Sequence, residues 1–343
     1  YAGGTDLMTS RKPKLDSKLP VSPKDMRRFS LPFLLLCCLL NVAVTRAQVN
    51  RRAAIDHLNR GTKELEAGDL DGALADFNRA IELDPNYAGA YFSRGLVLRR
   101  LTDYDRAISD FTKAIELNPI AEAYLDRGAI RRDKGDREGA IADYTKAIEL
   151  NDKYADAYYN RGIALDDKDE HDHAISDFTR SIELSPQQAK AFVGRGYARM
   201  RKGDPDGALT DYTKAIVINP RSFLAFYNRA FARKQKGDLD GAIADFTKAV
   251  EIDENDADAF YERGIVRGAR ADLDGAISDF TKTIELNPMS AKAYANRGMI
   301  MLLQGRDAAA QQEFDTALKL DAALNPDLQN RINQIVRNLK SKP

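Results

Sequence analysis

Tryptophan is absent from this 343-residue chain, histidine occurs three times, and the only two cysteines are adjacent, Cys37 and Cys38. With both thiols in one N-terminal apolar stretch, the rest of the chain has neither a disulfide framework nor a thiol nucleophile. His171 and His173 fall in the acidic run DDKDEHDHA. Side chains two apart diverge once a helix begins, so the run reads as a solvated turn and not as a metal site. A Gly-rich phosphate loop, a nucleophile elbow and an HExxH pair are all missing. No catalytic residue, metal or cofactor is expected, and no small-molecule substrate. Net charge is lacking too: Lys+Arg and Asp+Glu each total 52. Residues 1–47 carry eight basic against three acidic residues, which leaves 44 basic and 49 acidic in the remainder. A mildly acidic body has no concentrated basic surface, so no nucleic-acid partner is expected.

Long hydrophobic runs are scarce as well. Leu31–Val44 is apolar except for Pro32 and Asn41, follows Met26-Arg27-Arg28 and precedes Thr45-Arg46-Ala47. About fourteen apolar residues are short for a transmembrane helix but suit the core of a secretory signal. Residues 26–47 are therefore expected to be a signal peptide cleaved after Ala47, delivering the protein to a bacterial periplasm. A membrane partner follows only if the signal is retained as an anchor. Residues 1–25 precede this natural start and are expected to be a non-native, disordered extension.

One phrase is abundant. DFTKAIELNP at 110–119 returns as DFNRAIELDP at 76–85, DYTKAIELND at 143–152, DFTRSIELSP at 177–186 and DYTKAIVINP at 211–220. DFTKAVEIDE at 245–254, DFTKTIELNP at 279–288 and a degenerate EFDTALKLDA at 313–322 complete eight copies. Gly61, Gly95, Gly128, Gly162, Gly196, Gly264 and Gly298 mark the beat, with Ala230 in the remaining slot. Each unit has two amphipathic halves: ADAYYNRGIALDDK places Ala157, Tyr158, Gly162 and Leu165 at helical spacing, and DGAIADFTKAVEID does so with Ala242, Phe246, Ala249 and Ile252. Gly-Asp pairs such as Gly68-Asp69 and Gly203-Asp204 separate the halves; the Gly can end one helix in the left-handed region while the Asp caps the next. An Ala twelve residues after the beat and an aromatic four further on recur in every unit, from Ala73 and Phe77 to Ala310 and Phe314. Small residues let two helices approach, and the aromatic wedges the layer between neighbours.

The pattern resembles the tetratricopeptide repeat family over residues 54–324, in units 54–87, 88–120, 121–154, 155–188, 189–222, 223–256, 257–290 and 291–324. The resemblance implies an all-α fold: a right-handed superhelical solenoid of eight antiparallel helix pairs whose first helices line a concave groove. Such grooves hold an extended peptide or a partner helix, so a non-catalytic interaction scaffold with a protein or peptide ligand is expected. Similar repeats precede the catalytic region of a sugar-transferring enzyme, so an interaction subunit recruiting a separate glycosyltransferase is the alternative. A membrane-tethered envelope assembly factor is another. Residues 325–340, with Leu328, Ile332, Ile335, Val336 and Leu339 on one face, read as a capping helix; Arg331, Arg337 and Lys340 are expected to meet water.

The family usually has Leu before the beat Gly, whereas this chain has Arg in all eight units, and an acid precedes every second-helix aromatic. Both flank packing positions, where an unpaired charge is costly and a guanidinium–carboxylate pair satisfies both partners. Arg161 with Asp177 and Arg229 with Asp245 are expected to form such pairs. A second Arg one turn later (Arg131, Arg199, Arg233, Arg267) has no partner assigned from sequence. For the groove, the residue two before the beat is Asn59, Asn160, Asn228 or Asn296 in four units, and an amide can bond a peptide backbone as donor and acceptor. Ser93, Asp126, Gly194 and Glu262 interrupt this row. The aromatics Phe92, Tyr159, Tyr197, Tyr227, Phe231 and Tyr261 are candidates for affinity or for packing between first helices. Arg99, Arg100 and Arg132 form a basic stretch and Asp166 and Asp167 an acidic one, which suits a ligand of segregated charge.

Overall fold

A computed structural model of the chain describes residues 31–340; the extension expected over 1–25 and the start of the expected signal lie outside the described residues. Regular structure among them is helical. In chain order the helices are α1 (Leu31–Ala67), α2 (Leu70–Leu83), α3 (Ala88–Arg100), α4 (Tyr104–Leu117), α5 (Ala121–Asp133) and α6 (Arg137–Leu150). They continue as α7 (Ala155–Asp166), α8 (His171–Leu184), α9 (Ala189–Lys202), α10 (Pro205–Ile218), α11 (Phe223–Gln235) and α12 (Leu239–Ile252). Last come α13 (Ala257–Ala269), α14 (Leu273–Leu286), α15 (Ala291–Leu303), α16 (Asp307–Leu320) and, after a short 3-10 turn, α17 (Asn325–Lys340). The chain divides into two compact units, residues 1–93 and 94–343.

In the N-terminal unit α1 packs on α2, with Ala54, Ala80 and Ala90 buried among Leu58, Ile81 and Tyr87. The helix α1 runs through Ala47 without a break. No helix among the described residues is long and apolar enough to cross a membrane.

The C-terminal unit is an all-α solenoid in which each helix packs on the next and first helices of successive repeats also touch, α5 on α7, α7 on α9, α9 on α11 and α13 on α15. First helices therefore form the inner face of this stack. Its core is the beat glycine against the wedge aromatic: a Cβ at Gly196 would stand 2.7 Å from Tyr212 Cε1, and one at Gly128 2.8 Å from Tyr144 Cε1. Ala230 keeps its Cβ in this slot, and there the Phe246 ring is held edge-on by Tyr227 and Phe231, with centroids 5.6 and 5.5 Å away. Burial pushes the Tyr144 phenol up to about 12. At the C-terminal end, Leu328 of α17 is buried with Met299, Met301 and Leu302, and Ile332 and Ile335 pack on the same cluster.

Turns within the pairs follow the Gly-Asp logic. Gly135, Gly203 and Gly237 take φ of 85°, 86° and 80°, and the following Asp136, Asp204 and Asp238 accept from the backbone N–H of Gly139, Gly207 and Gly241 at 2.9 Å each. Three turns reach the same left-handed region without glycine: Thr102, Asp169 and Ala271, at φ 60°, 64° and 66°. A Cβ is disfavoured there by sterics, most for a residue with no polar side chain to compensate. Ala271→Gly is therefore expected to stabilise the chain by about 1 kcal/mol, net of the added unfolded-state entropy. Equilibrium urea unfolding checks this, and a variant no more stable than the parent contradicts it.

Candidate functional site

The eight arginines before the beat all close onto the acid sixteen residues on. Arg161 donates from Nε and Nη2 to Asp177 at 2.7 and 2.8 Å, and Arg229 to Asp245 at 2.8 and 2.8 Å. Arg94–Asp110, Arg127–Asp143, Arg195–Asp211, Arg263–Asp279 and Arg297–Glu313 repeat this two-pronged geometry in the C-terminal unit. In the N-terminal unit Arg60 closes onto Asp76. Arg60 and His57 beside it hold the Asp76 carboxyl down at about 2 against the opposing effect of burial. The Asp177 hydrogen bond likewise holds the Arg161 guanidinium above its ordinary value.

The third nitrogen of the fork points backward along the stack. Nη1 of Arg127, Arg161, Arg195, Arg229, Arg263 and Arg297 donates to Oγ1 of Thr112, Thr145, Thr179, Thr213, Thr247 and Thr281, at 2.9 to 3.2 Å. Each Thr belongs to the preceding repeat and directly follows its wedge aromatic. Five of these hydroxyls donate in turn to their own helix, Thr145 to the Ile141 carbonyl at 2.8 Å for example, so both roles of the hydroxyl are used. Each of the six guanidiniums also lies over an aromatic three residues earlier, 5.4 to 5.7 Å from the centroid, as Arg263 does over Phe260. One side chain thus ties two helices of its repeat to the repeat before it.

The second arginines, without partners in the sequence reading, serve the same carboxylates. Nη1 of Arg131, Arg199, Arg233 and Arg267 donates to Oδ2 of Asp143, Asp211, Asp245 and Asp279 at 2.7 to 2.8 Å, the oxygen that already accepts from Nε of the first arginine. The same nitrogen reaches the carbonyl of the Gly that follows the cap, as Arg233 does with Gly241 at 3.1 Å. These four aspartates are 1–3% exposed, against 5–7% for Asp76, Asp110 and Asp177 with one arginine each. In the N-terminal unit that slot holds Glu64, whose carboxyl burial pushes up and one of whose oxygens has no partner. The spacing of four from the first arginine, one helical turn, is the signal from which a shared carboxylate could have been read but was not.

The inner-face candidates separate into three groups. Tyr159, Tyr197, Tyr227 and Asn228 come together around a cavity of about 460 Å³ between α7, α9 and α11, with Val193 and Leu224. Tyr159 also meets Phe178 at 5.8 Å and lies under Lys190 Nζ at 4.6 Å. A second group is structural. Asn296 was expected to offer its amide to a peptide in the groove, but it is buried: its Nδ2 donates to the Tyr261 hydroxyl at 2.8 Å and its Oδ1 accepts from Arg331 of α17 at 3.1 Å. The capping helix covers that stretch of the inner face, so Arg331 does not project only into water. Asn160 Nδ2 donates to the Asp156 carbonyl of its own helix at 2.9 Å, and Phe231 packs on Phe246. The third group is charged. Arg99 pairs with Asp126 and Arg132 with Asp133 at 3.0 Å, while Arg100 is exposed. Burial raises the Asp126 carboxyl, with Arg99 opposing it. Asp166 is buried, bonded to His171 Nδ1 at 2.7 Å and to Arg201 at 3.4 Å, so His171 is half-buried and held, whereas His173 is exposed. Asn59, exposed, and Phe92, half-buried, lie in the N-terminal unit.

Helix pairs of this length, tied by a small-residue beat and an aromatic wedge, define a helical-hairpin repeat protein. The TPR repeat model matches residues 61–102, 128–169, 196–237 and 232–270, and tetratricopeptide repeat models match 88–120, 155–188 and 261–325. The chain belongs to the tetratricopeptide repeat family, and membership supports a role as a protein–protein interaction scaffold. No curated protein sequence matches it. Among solved structures, a tetratricopeptide repeat protein from Parabacteroides merdae is 20% identical with a TM-score of 0.56, over 73% of this chain and 99% of that one. The C-terminal part of a TPR repeat-containing protein from Cytophaga hutchinsonii is 19% identical with a TM-score of 0.55, over 70% and 98%. The APC/C hetero-tetramer Cut9–Hcn1 is 17% identical with a TM-score of 0.56, over 77% and 52%. At such identities the likeness is one of fold.

Asp177→Ala strands the half-buried Arg161 charge and is expected to destabilise by roughly 1–3 kcal/mol. Arg161→Leu should cost less once Asp177 is also neutral. Measured as a double-mutant cycle in urea, a coupling below about 0.3 kcal/mol would exclude the pairing.

Proposed function

We propose that the protein is a non-catalytic scaffold that holds an extended segment of a partner protein on the inner face of its C-terminal unit, between α7, α9 and α11. The observation that carries this is the convergence of Tyr159, Tyr197, Tyr227 and Asn228 on one largely apolar cavity, where Tyr197 is 48% exposed. Aromatic side chains supply contact area at low entropic cost, and the Asn228 amide makes no hydrogen bond among the described residues, so it is open to a peptide backbone. The arginine row favours no anionic ligand, because each guanidinium is already bonded to a carboxylate. Random peptides displayed on phage and selected on the intact protein provide the test. The double variant Tyr197→Ala/Asn228→Ala is expected to bind the selected peptides about ten-fold or more weakly with an unchanged melting temperature. Unchanged affinity would place binding elsewhere.

We also infer that the protein is exported to a bacterial periplasm. Arg27 and Arg28 before the Leu31–Val44 stretch, and the small Ala47 at its end, support this reading. Mass spectrometry of the exported chain should find Gln48 at the N-terminus; a mature chain beginning upstream of Phe29 would rule the signal out.

A further inference from the structure

We infer that Gly194 turns the inner-face cavity into a socket for one bulky apolar side chain of the bound segment, next to a Lys or Arg of that segment; this rests on the reading above. The slot two before the beat holds Asn160 and Asn228 in the flanking repeats, and only here a glycine. A Cβ at 194 would stand 2.7 Å from Phe178 Cε1 and 2.8 Å from Cζ. The ring of α8 thus lies where a side chain would begin, and no side chain from this slot extends over the cavity. Phe178 is 1% exposed and forms the floor. Ile163, Val193, Tyr197, Leu224 and Tyr227 form the walls, and Leu224 is 58% exposed. A volume of about 460 Å³ exceeds any single side chain, which leaves room for an aromatic group and the backbone that carries it.

The charge at the rim selects the neighbour. Lys190 is engaged, with Nζ 2.8 Å from Asp156 Oδ1 and its cation over the Tyr159 ring. Asp166 is shared between His171 and Arg201. Asp167 is different: it lines the cavity, is exposed, and no cation among the described residues meets its carboxylate. An uncompensated acid beside an apolar socket favours a basic residue flanking the anchor and disfavours an acidic one.

The phage-selected peptides test this as well. Their sequences are expected to pair Phe, Trp or Leu with a Lys or Arg one or two positions away. Leu224→Glu, a change at an exposed position, should weaken their binding about ten-fold or more without lowering the melting temperature. Asp167→Lys, used in a second selection, should replace the basic neighbour by an acidic one. Gly194→Ala should also weaken binding, but it crowds Phe178, so its melting curve is measured beside it and the Leu224 and Asp167 variants decide. Peptides lost on Tyr197→Ala/Asn228→Ala but indifferent to Leu224→Glu, or selected without a basic neighbour, overturn the socket and leave the inner-face reading standing. Peptides indifferent to all of these variants overturn both.

Discussion

A planar guanidinium with five donors in a fixed fork is the part on which the stack depends. In the C-terminal unit it locks a first helix to its second helix through two parallel bonds to a carboxylate, and its remaining amine reaches the threonine of the repeat before. A leucine in this position would pack but could not join two repeats by a directed bond. Lysine would bring one point charge and could not meet carboxylate and hydroxyl along different directions at once. Because each repeat touches mainly its neighbours, stability of such an array is a sum of unit and interface contributions. Here the same side chain contributes to both.

How much of this was legible depended on whether a residue's partner lay at a fixed sequence distance. The helix pairs, their left-handed glycine turns and the arginine–acid pairs all recur with the period, so spacing alone reaches them. The threonine tie recurs as regularly, in the T of DFTK, yet a hydroxyl on a helix has so many bland uses that periodicity did not single it out. Thr102, Asp169 and Ala271 were illegible for the opposite reason: they occupy a conformation that glycine marks elsewhere, and their own identities give no sign of it.

The inner face was the least legible part, because its partners lie across repeats or outside them. Asn296 looks like its counterparts until α17 arrives with Arg331 and converts it into a buried hinge between three helices. Arg99 reads as part of a basic stretch until Asp126 of the next repeat is brought beside it. Gly194 was visible as an interruption, but the Phe178 ring that fills the space beside it arrives from α8 only in the folded chain.

The backward direction of the threonine tie bears on how such a chain changes length. Arg161 needs a threonine in whichever repeat precedes it, not Thr145 in particular, and the repeats from 88 to 290 each present one at the same place. A copying error that drops or adds a whole unit among them therefore leaves every guanidinium with a carboxylate ahead, and each one that follows a unit of this run with a hydroxyl behind. The bonding pattern is closed under duplication. Near-identical copies of DFTKAIEL can then accumulate in tandem without stranding a charge, whereas a loss or gain between an arginine and its acid would break the fork. The one-residue shortening of unit 88–120 lies outside that stretch, and Arg127 keeps both Asp143 and Thr112.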